Sequence, residues 1–372
     1  MRKLFIDLAL PGMKVGRPIC NSKGHVLLNA GVILTRRYIQ RLKSMGIPAI
    51  YIDDGLLSDV EVNDVIPDDI RFSVMTNVRN FYSDLETKSD ESKNVIGMKK
   101  IGKGIKDIIH QLLEYPDIVV NLTDIRSVDE YTFGHSVNVC VLALITGIKL
   151  GYSKAKLYHL AMGALLHDVG KTRVPNHILN KPGKLTEEEF TAMQQHSDFG
   201  YEILLKNDNV SRLSALVAQQ HHERLNGQGY PNCLKNDEIH EFAQVAGLVD
   251  MYDALTADRV YRPAMAPYVA YEMLRDYGDF FFDSNLINAF LYNVAAYPSG
   301  TLVKLNTGEI AGVVETFPGY TTQPKVRILF SREGKPIKDK NEIWLARKDC
   351  TLFISNVITD ESELNTIKSK LS

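Results

Sequence analysis

The feature that most constrains this chain is an apolar run ending in a polar pair, Ala164-Leu165-Leu166-His167-Asp168-Val169-Gly170-Lys171. The apolar residues ask for burial. An imidazole and a carboxylate side by side at a buried helix end are costly unless partners or a metal compensate them. A lone His-Asp pair is more often a cap or a satisfied core pair. Here His135 precedes it, and His196, His221, His222 and Asp250 follow, each at the edge of a segment with helical spacing.

Composition narrows the class. The chain has 372 residues, enough for two or three domains. It is 45% hydrophobic and 24% charged, the balance of a globular protein. A net charge of −2 argues against binding a nucleic acid polymer or a membrane surface. Cys20, Cys140, Cys233 and Cys350 are far apart and read as small hydrophobes in a reducing compartment. Asp7 interrupts the first apolar run, so no signal peptide is expected, and the run at 137–148 is too short to span a bilayer. A cytoplasmic, soluble protein without a membrane span is expected.

The ends of the chain read as small modules. Residues 1–66 mix short β-like runs with one helix capped by Thr35, an α+β pattern. From Asp68 to about Glu86 the spacing of Ile70, Val74, Val78 and Phe81 predicts an amphipathic helix. Residues 84–106 are dense in charge, Ser and Gly. They read as a solvated linker or the exposed face of a connecting helix, and a domain boundary is placed there. Beyond an apolar helix reaching about Ala296, short β runs with Gly turns at 301–305, 311–315, 325–330, 341–344 and 350–355 predict a small β-barrel-like module. A polar tail closes the chain.

In the middle, Ser127 and Glu130 fit a capping box for a helix carrying His135 in its second turn. A second helix is expected from about Lys154 to His167. A third, capped by Thr186 and Glu189, carries His196. A fourth, over 210–222, ends in the adjacent His221 and His222. Neighbours on a helix point about 100° apart, so both reach one metal only if that helix end distorts or the metal sits near the terminus. Lys171 lies four positions after His167 and is either a solvated cation or a phosphate contact or proton donor.

This set, with His167-Asp168 and then His221-His222-Glu223-Arg224-Leu225-Asn226-Gly227-Gln228-Gly229-Tyr230-Pro231, resembles the HD-GYP family of the HD phosphohydrolases. The resemblance covers residues 113–298, about half of the chain. It implies a mainly α fold: a helical HD-domain core, a small α+β N-terminal module and a small β-rich C-terminal module. The expected organisation is 1–66 for the N-terminal module, 67–112 for the connecting helix and linker, 113–298 for the catalytic domain, 299–357 for the β-rich module and 358–372 for the tail.

The resemblance also implies the chemistry. In the family pattern His135, His167, Asp168 and Asp250 hold one metal, and Asp168, His196, His221 and His222 hold the other. Five imidazoles and two carboxylates suit iron or manganese, and also zinc or nickel; two divalent ions, iron or manganese, are expected. Family members with a third metal carry Glu four residues before the first histidine, where this chain has Tyr131. Two metals about 3.5–4 Å apart can make hydroxide from a bridging water and neutralise a phosphodiester. Asp168 and Lys171 are then catalytic. Lys171, Gly227, Gly229, Tyr230, Arg259 and Arg262 face the substrate, with the Tyr230 ring offered to guanine. Asn226 stands where the family usually has Asp.

The implied substrate is cyclic di-GMP, opened to linear pGpG with a further step to GMP left open. Two other readings stand: a hydrolase of another cyclic dinucleotide such as cyclic GMP-AMP, and a catalytically silent cyclic di-GMP receptor that signals through a partner protein. Homodimerisation is left open.

Overall fold

The computed structural model describes residues 1–21, 25–45, 47, 49–61, 64–87, 91–115, 118–120, 131–257, 264–337, 339 and 341–358. They group into two compact units, one of Met1–Val65, Asp117–Glu130 and Leu291–Ser372, the other of Ile66–Pro116 and Tyr131–Phe290.

In the first unit, β1 (Arg2–Phe5), β2 (Lys14–Val15), β3 (Ile19–Cys20) and β4 (Val26–Leu28) precede α1 (Arg36–Ser44) and β5 (Ala49–Asp53). The Thr35 side chain accepts from Tyr38 N and caps α1. Ile39 and Leu42 of α1 pack with Leu4, Ile50 and Ile52 of the antiparallel sheet β1-β5-β2. The same unit holds β6 (Leu302–Leu305), β7 (Ile310–Glu315), β8 (Lys325–Phe330), β9 (Glu342–Trp344) and β10 (Ile354–Val357), an antiparallel sheet of order β10-β6-β7-β8-β9. Leu57 and Val60 fill a cluster with Leu302, Leu329 and Phe330. Arg327 bridges Asp59 and Glu342. The N-terminal stretch thus completes the core of the C-terminal sheet. The last strand lies later than the run at 350–355 suggested, and the polar tail falls outside the described residues.

The second unit is helical. It contains α2 (Asp68–Glu86), α3 (Glu91–Glu114), α4 (Tyr131–Lys149), α5 (Lys154–Leu165), α6 (Asn176–Leu179), α7 (Glu187–Gln194), α8 (His196–Leu205), α9 (Arg212–Gln220), α10 (Glu241–Thr256), α11 (Pro267–Asp276) and α12 (Ser284–Leu291), whose last residue belongs to the first unit. Helix α12 is shorter than the run to Ala296 suggested. Helix α4 buries residues on every side, among them Val137, Val139, Cys140, Leu142 and Leu144. A helix apolar all round belongs at the centre of a core, and α4 lies there against α2, α5 and α10.

The charge-dense stretch 84–106 contains the start of α3, and the division between the units does not fall there. Met98, Ile101, Ile105, Ile108 and Leu112 of α3 are buried, while Lys99, Lys100, Lys103 and Lys106 are exposed. The three-and-four spacing makes one apolar stripe, which composition averaged over a window conceals.

No helix among the described residues is long and apolar enough to cross a membrane.

Candidate metal centre

The polar pair sits where α5 stops. Helix α5 ends at Leu165, two residues before His167, and Val169–Arg173 forms a 3₁₀ turn. That turn presses onto α8. A Cβ on Gly170 would lie 1.9 Å from His196 O and 2.5 Å from Gly200 N. Only glycine allows this approach, which brings Asp168 to face His196.

The other histidines also lie at helix ends. The helix expected to carry His196 is broken at Gln195, and His196 opens α8. Helix α9 stops at Gln220, with His221 as its cap residue. His222 therefore lies beyond the helix. The two rings have centroids 4.0 Å apart.

Two clusters result. Potential ligand atoms of Asp168, His196, His221 and His222 lie within 4.8 Å of one another, and so do those of His135, His167 and Asp250. Asp168 faces both. Its Oδ2 is 3.4 Å from His167 Nε2, and its Oδ1 is 3.5 Å from His196 Nε2 and 3.9 Å from His221 Nε2.

The hydrogen bonds orient the rings. His167 Nδ1 bonds Ala164 O at 2.8 Å, His196 Nδ1 bonds Met193 O at 2.6 Å, and His221 Nδ1 bonds Ala218 O at 3.0 Å. A carbonyl only accepts, so each Nδ1 carries the proton and each Nε2 presents a lone pair. These three Nε2 atoms and Asp168 Oδ1 are buried without a hydrogen-bond partner. Each such atom costs about 1–3 kcal/mol. Together they rival the 5–15 kcal/mol by which a whole domain is stable. A bound divalent cation removes that cost, and Nδ1 bonded to carbonyl is the usual arrangement of a histidine ligand. The donor set fits a metal.

Charge in the cluster is strongly shifted. Burial would raise the Asp168 carboxyl, but the Lys171 ammonium outweighs it and holds it well below the carboxylate range. Asp250 is likewise held down against its burial by the protonated His135 that it bonds. Burial lowers His196, His221 and His222, keeping them neutral. His135 is opposite: burial is overcome by its bonds to Asp250 and Asp253, which raise it from 6.5 to about 9.

These shifts predict a two-sided pH profile for the metal-free protein. The stabilisation from protonated His135 is full below about pH 6.5 and lost as pH rises through about 9, an effect on the order of 3 kcal/mol. The three lowered histidines bind fewer protons folded than unfolded, so their effect weakens the fold as pH drops below 6.5. The melting temperature is expected to peak near neutrality and to fall on both sides. Calorimetry from pH 5 to 10 checks this; a flat course between pH 7 and 9 would contradict it.

The remaining expected residues are placed unevenly. Lys171 Nζ donates to Asp168 Oδ2 at 2.6 Å. Tyr230, expected to offer its ring to a guanine, stacks one face on His222 at 4.5 Å. Gly229 lies against the segment that follows the histidines, where a Cβ would meet Glu223 Cα at 2.4 Å. Gly227 has φ +77°. Asn226 Oδ1 accepts from Gln228 N at 3.0 Å, turning the loop with a bond that Asp could also accept. Arg259, Arg262 and the capping box at Ser127 lie outside the described residues.

Sequence reasoning missed the supports. The buried Glu223 carboxylate accepts from Asn232 N at 2.7 Å and Leu234 N at 3.0 Å, pinning the loop after Tyr230. Arg224 donates to His221 O and lies over the Phe282 ring. Asp253 bonds His135. It stands three residues after Asp250 on α10, so the two share a face, a spacing that could have marked it.

An HD domain model matches residues 122–286, and a model of a KOW domain associated with HD domains matches residues 302–366. The chain is 35% identical over 231 residues to a cyclic di-GMP phosphodiesterase of Pseudomonas aeruginosa, covering 62% of this chain and 56% of that one. It is 44% identical over 135 residues to the 3'3'-cGAMP-specific phosphodiesterase 3 of Vibrio cholerae, covering 36% of this chain and 29% of that one. The chain thus spans about half, or less, of the length of these curated relatives. A solved HDG"Y"P protein from Bdellovibrio bacteriovorus aligns with 77% of this chain and 97% of its own at 18% identity and a TM-score of 0.47.

Proposed function

We propose, on the premise that this chain is an HD-domain protein bearing the HD-GYP signature, that it is a metal-dependent phosphodiesterase opening cyclic di-GMP to pGpG. One observation carries the reading: three buried histidines, each locked through Nδ1 to a main-chain carbonyl, turn unpartnered Nε2 atoms toward one buried carboxylate.

Two divalent ions, iron or manganese, would be held by His135, His167 and Asp250 on one side and by His196, His221 and His222 on the other, with Asp168 shared. When bound, such a pair supplies Lewis acidity toward a water and a phosphodiester. The chain's own groups do the rest. Asp168, kept ionised, offers one oxygen to each side. Lys171, partly exposed and on Asp168 Oδ2, is placed to contact a phosphate oxygen and to hold a proton near a leaving alcohol. Tyr230 fixes His222 by stacking, Gly227 turns the loop at positive φ, and Gly229 lets the loop close on the backbone at Glu223 and Arg224. By the family resemblance, Arg259 and Arg262 would face the substrate.

The similarity to a cyclic di-GMP phosphodiesterase over 231 residues supports the substrate. The higher local identity to a 3'3'-cGAMP-specific relative favours cyclic GMP-AMP as a second reading.

The test is anaerobic purification with iron or manganese, metal counting, and chromatography of the products from cyclic di-GMP and cyclic GMP-AMP. About two metals per chain and pGpG from cyclic di-GMP are expected. Preferential cleavage of cyclic GMP-AMP moves the assignment to the second reading. Binding at full metal loading without cleavage of either overturns the enzyme assignment in favour of a receptor.

A further inference from the structure

The histidines of the centre are not all held alike. His167, His196 and His221 lean on main-chain carbonyls three residues earlier. His135 leans on a side chain instead: its Nδ1 is 2.6 Å from Asp253 Oδ2, and Asp253 is 1% exposed. Asn138 Nδ2 donates to Asp253 Oδ1 at 3.2 Å, and Arg71 Nη1 donates to Asn138 Oδ1 at 2.6 Å. The line starts on α2, passes through α4 and reaches α10 before returning to the His135 ring.

The two kinds of support differ physically. A carbonyl is a neutral acceptor fixed by the ring's own backbone. A carboxylate accepts more strongly, makes the imidazole a better donor to a metal, and stays in place only while its own partners hold it. Here Asn138 of α4 bonds the carboxylate, and Arg71 of α2 in turn bonds Asn138. The bonds that hold His196 and His221 come from their own chain segments and involve none of these residues.

We propose that Asp253 is the positioning residue of the metal position at His135, His167 and Asp250. Asn138 and Arg71 hold it there, so that α2 governs the occupancy of this position and not of the position at His196, His221 and His222. This rests on the metal centre proposed above. It makes the two positions unequal: one is built by local backbone, the other by a relay of side chains that a shift of α2 would disturb. His135 Nε2 faces Asp250 Oδ1 at 3.0 Å, so a turn of the ring opens that end of the centre directly.

The experiment is a manganese titration of the full chain, read by elemental analysis and by electron paramagnetic resonance. The parent chain should take two ions with a spin-coupled signal. Asp253→Asn keeps the shape and removes the charge. It should keep one ion, bind the second about 10–100-fold more weakly, and show an uncoupled signal. Arg71→Met should move the same way by less. Two ions at parent affinity in both variants overturn the proposal, as does parallel loss of both ions from folded Asp253→Asn. If Asp253→Asn does not fold, Arg71→Met and Asn138→Ala decide by the same readings. Failure of the parent chain to take two ions overturns the metal centre itself, and is distinguishable because it needs no variant.

Discussion

Asp168→Asn is expected to lower cyclic dinucleotide turnover by about a thousandfold or more and to reduce metal content with it. Asp168 faces both clusters, with Oδ2 toward His167 and Oδ1 toward His196 and His221. Asn keeps the volume but offers one oxygen and no charge. A metal's charge stabilisation is worth several kcal/mol, and each 1.36 kcal/mol is tenfold in rate, so losing a shared ligand reaches three decades. The variant also leaves Lys171 without the carboxylate that it now contacts at 2.6 Å. Turnover and metal content measured together check this. A variant with normal metal content and turnover within tenfold of the parent would remove Asp168 from the shared position.

Gly170→Ala is the second change with a large expected effect, and it acts without replacing a candidate ligand. The added carbon would sit 1.9 Å from His196 O and 2.8 Å from His196 C. Both are backbone atoms at the start of α8, so no flexible side chain can yield. Either the 3₁₀ turn or α8 must move. Overpacking of this kind costs about 1–3 kcal/mol, which at about 2–4 °C per kcal/mol for a unit of this size lowers the melting temperature by roughly 2–12 °C. The same movement separates Asp168 from His196, so metal content should fall even in protein that stays folded. Melting curves and metal counting on one preparation check this. Unchanged values for both would mean that α8 and the turn tolerate a separation these contacts exclude.

The expectation about Lys171 and the placement of Tyr230 show how different distances in sequence are read. Lys171 follows Asp168 by three residues, and one turn of chain suffices to join them. Tyr230 follows His222 by eight, and only the folded loop, held by Glu223, decides that its ring covers a histidine. What a ring stacks on is a property of the loop's path.

The sequence by itself singled out the histidines and carboxylates that the fold brings together, and roughly which elements carry them. The apolar spacing of 68–86, the Thr35 and Thr186 caps and the β runs of the C-terminal sheet all depend on near neighbours, and local forces suffice to place them. Tertiary structure alone decided three things. It ended α5 and α9 short of their histidines and interrupted the helix at Gln195, so that His167, His196 and His221 gather at helix ends around Asp168. It turned the charge-dense stretch after residue 90 into a helix with a buried stripe, because burial follows the face of a helix and not its average composition. And it gave His135 a support unlike that of His167, His196 and His221, because Arg71, Asn138 and Asp253 are separated by up to 182 positions in the chain and meet only when α2, α4 and α10 pack.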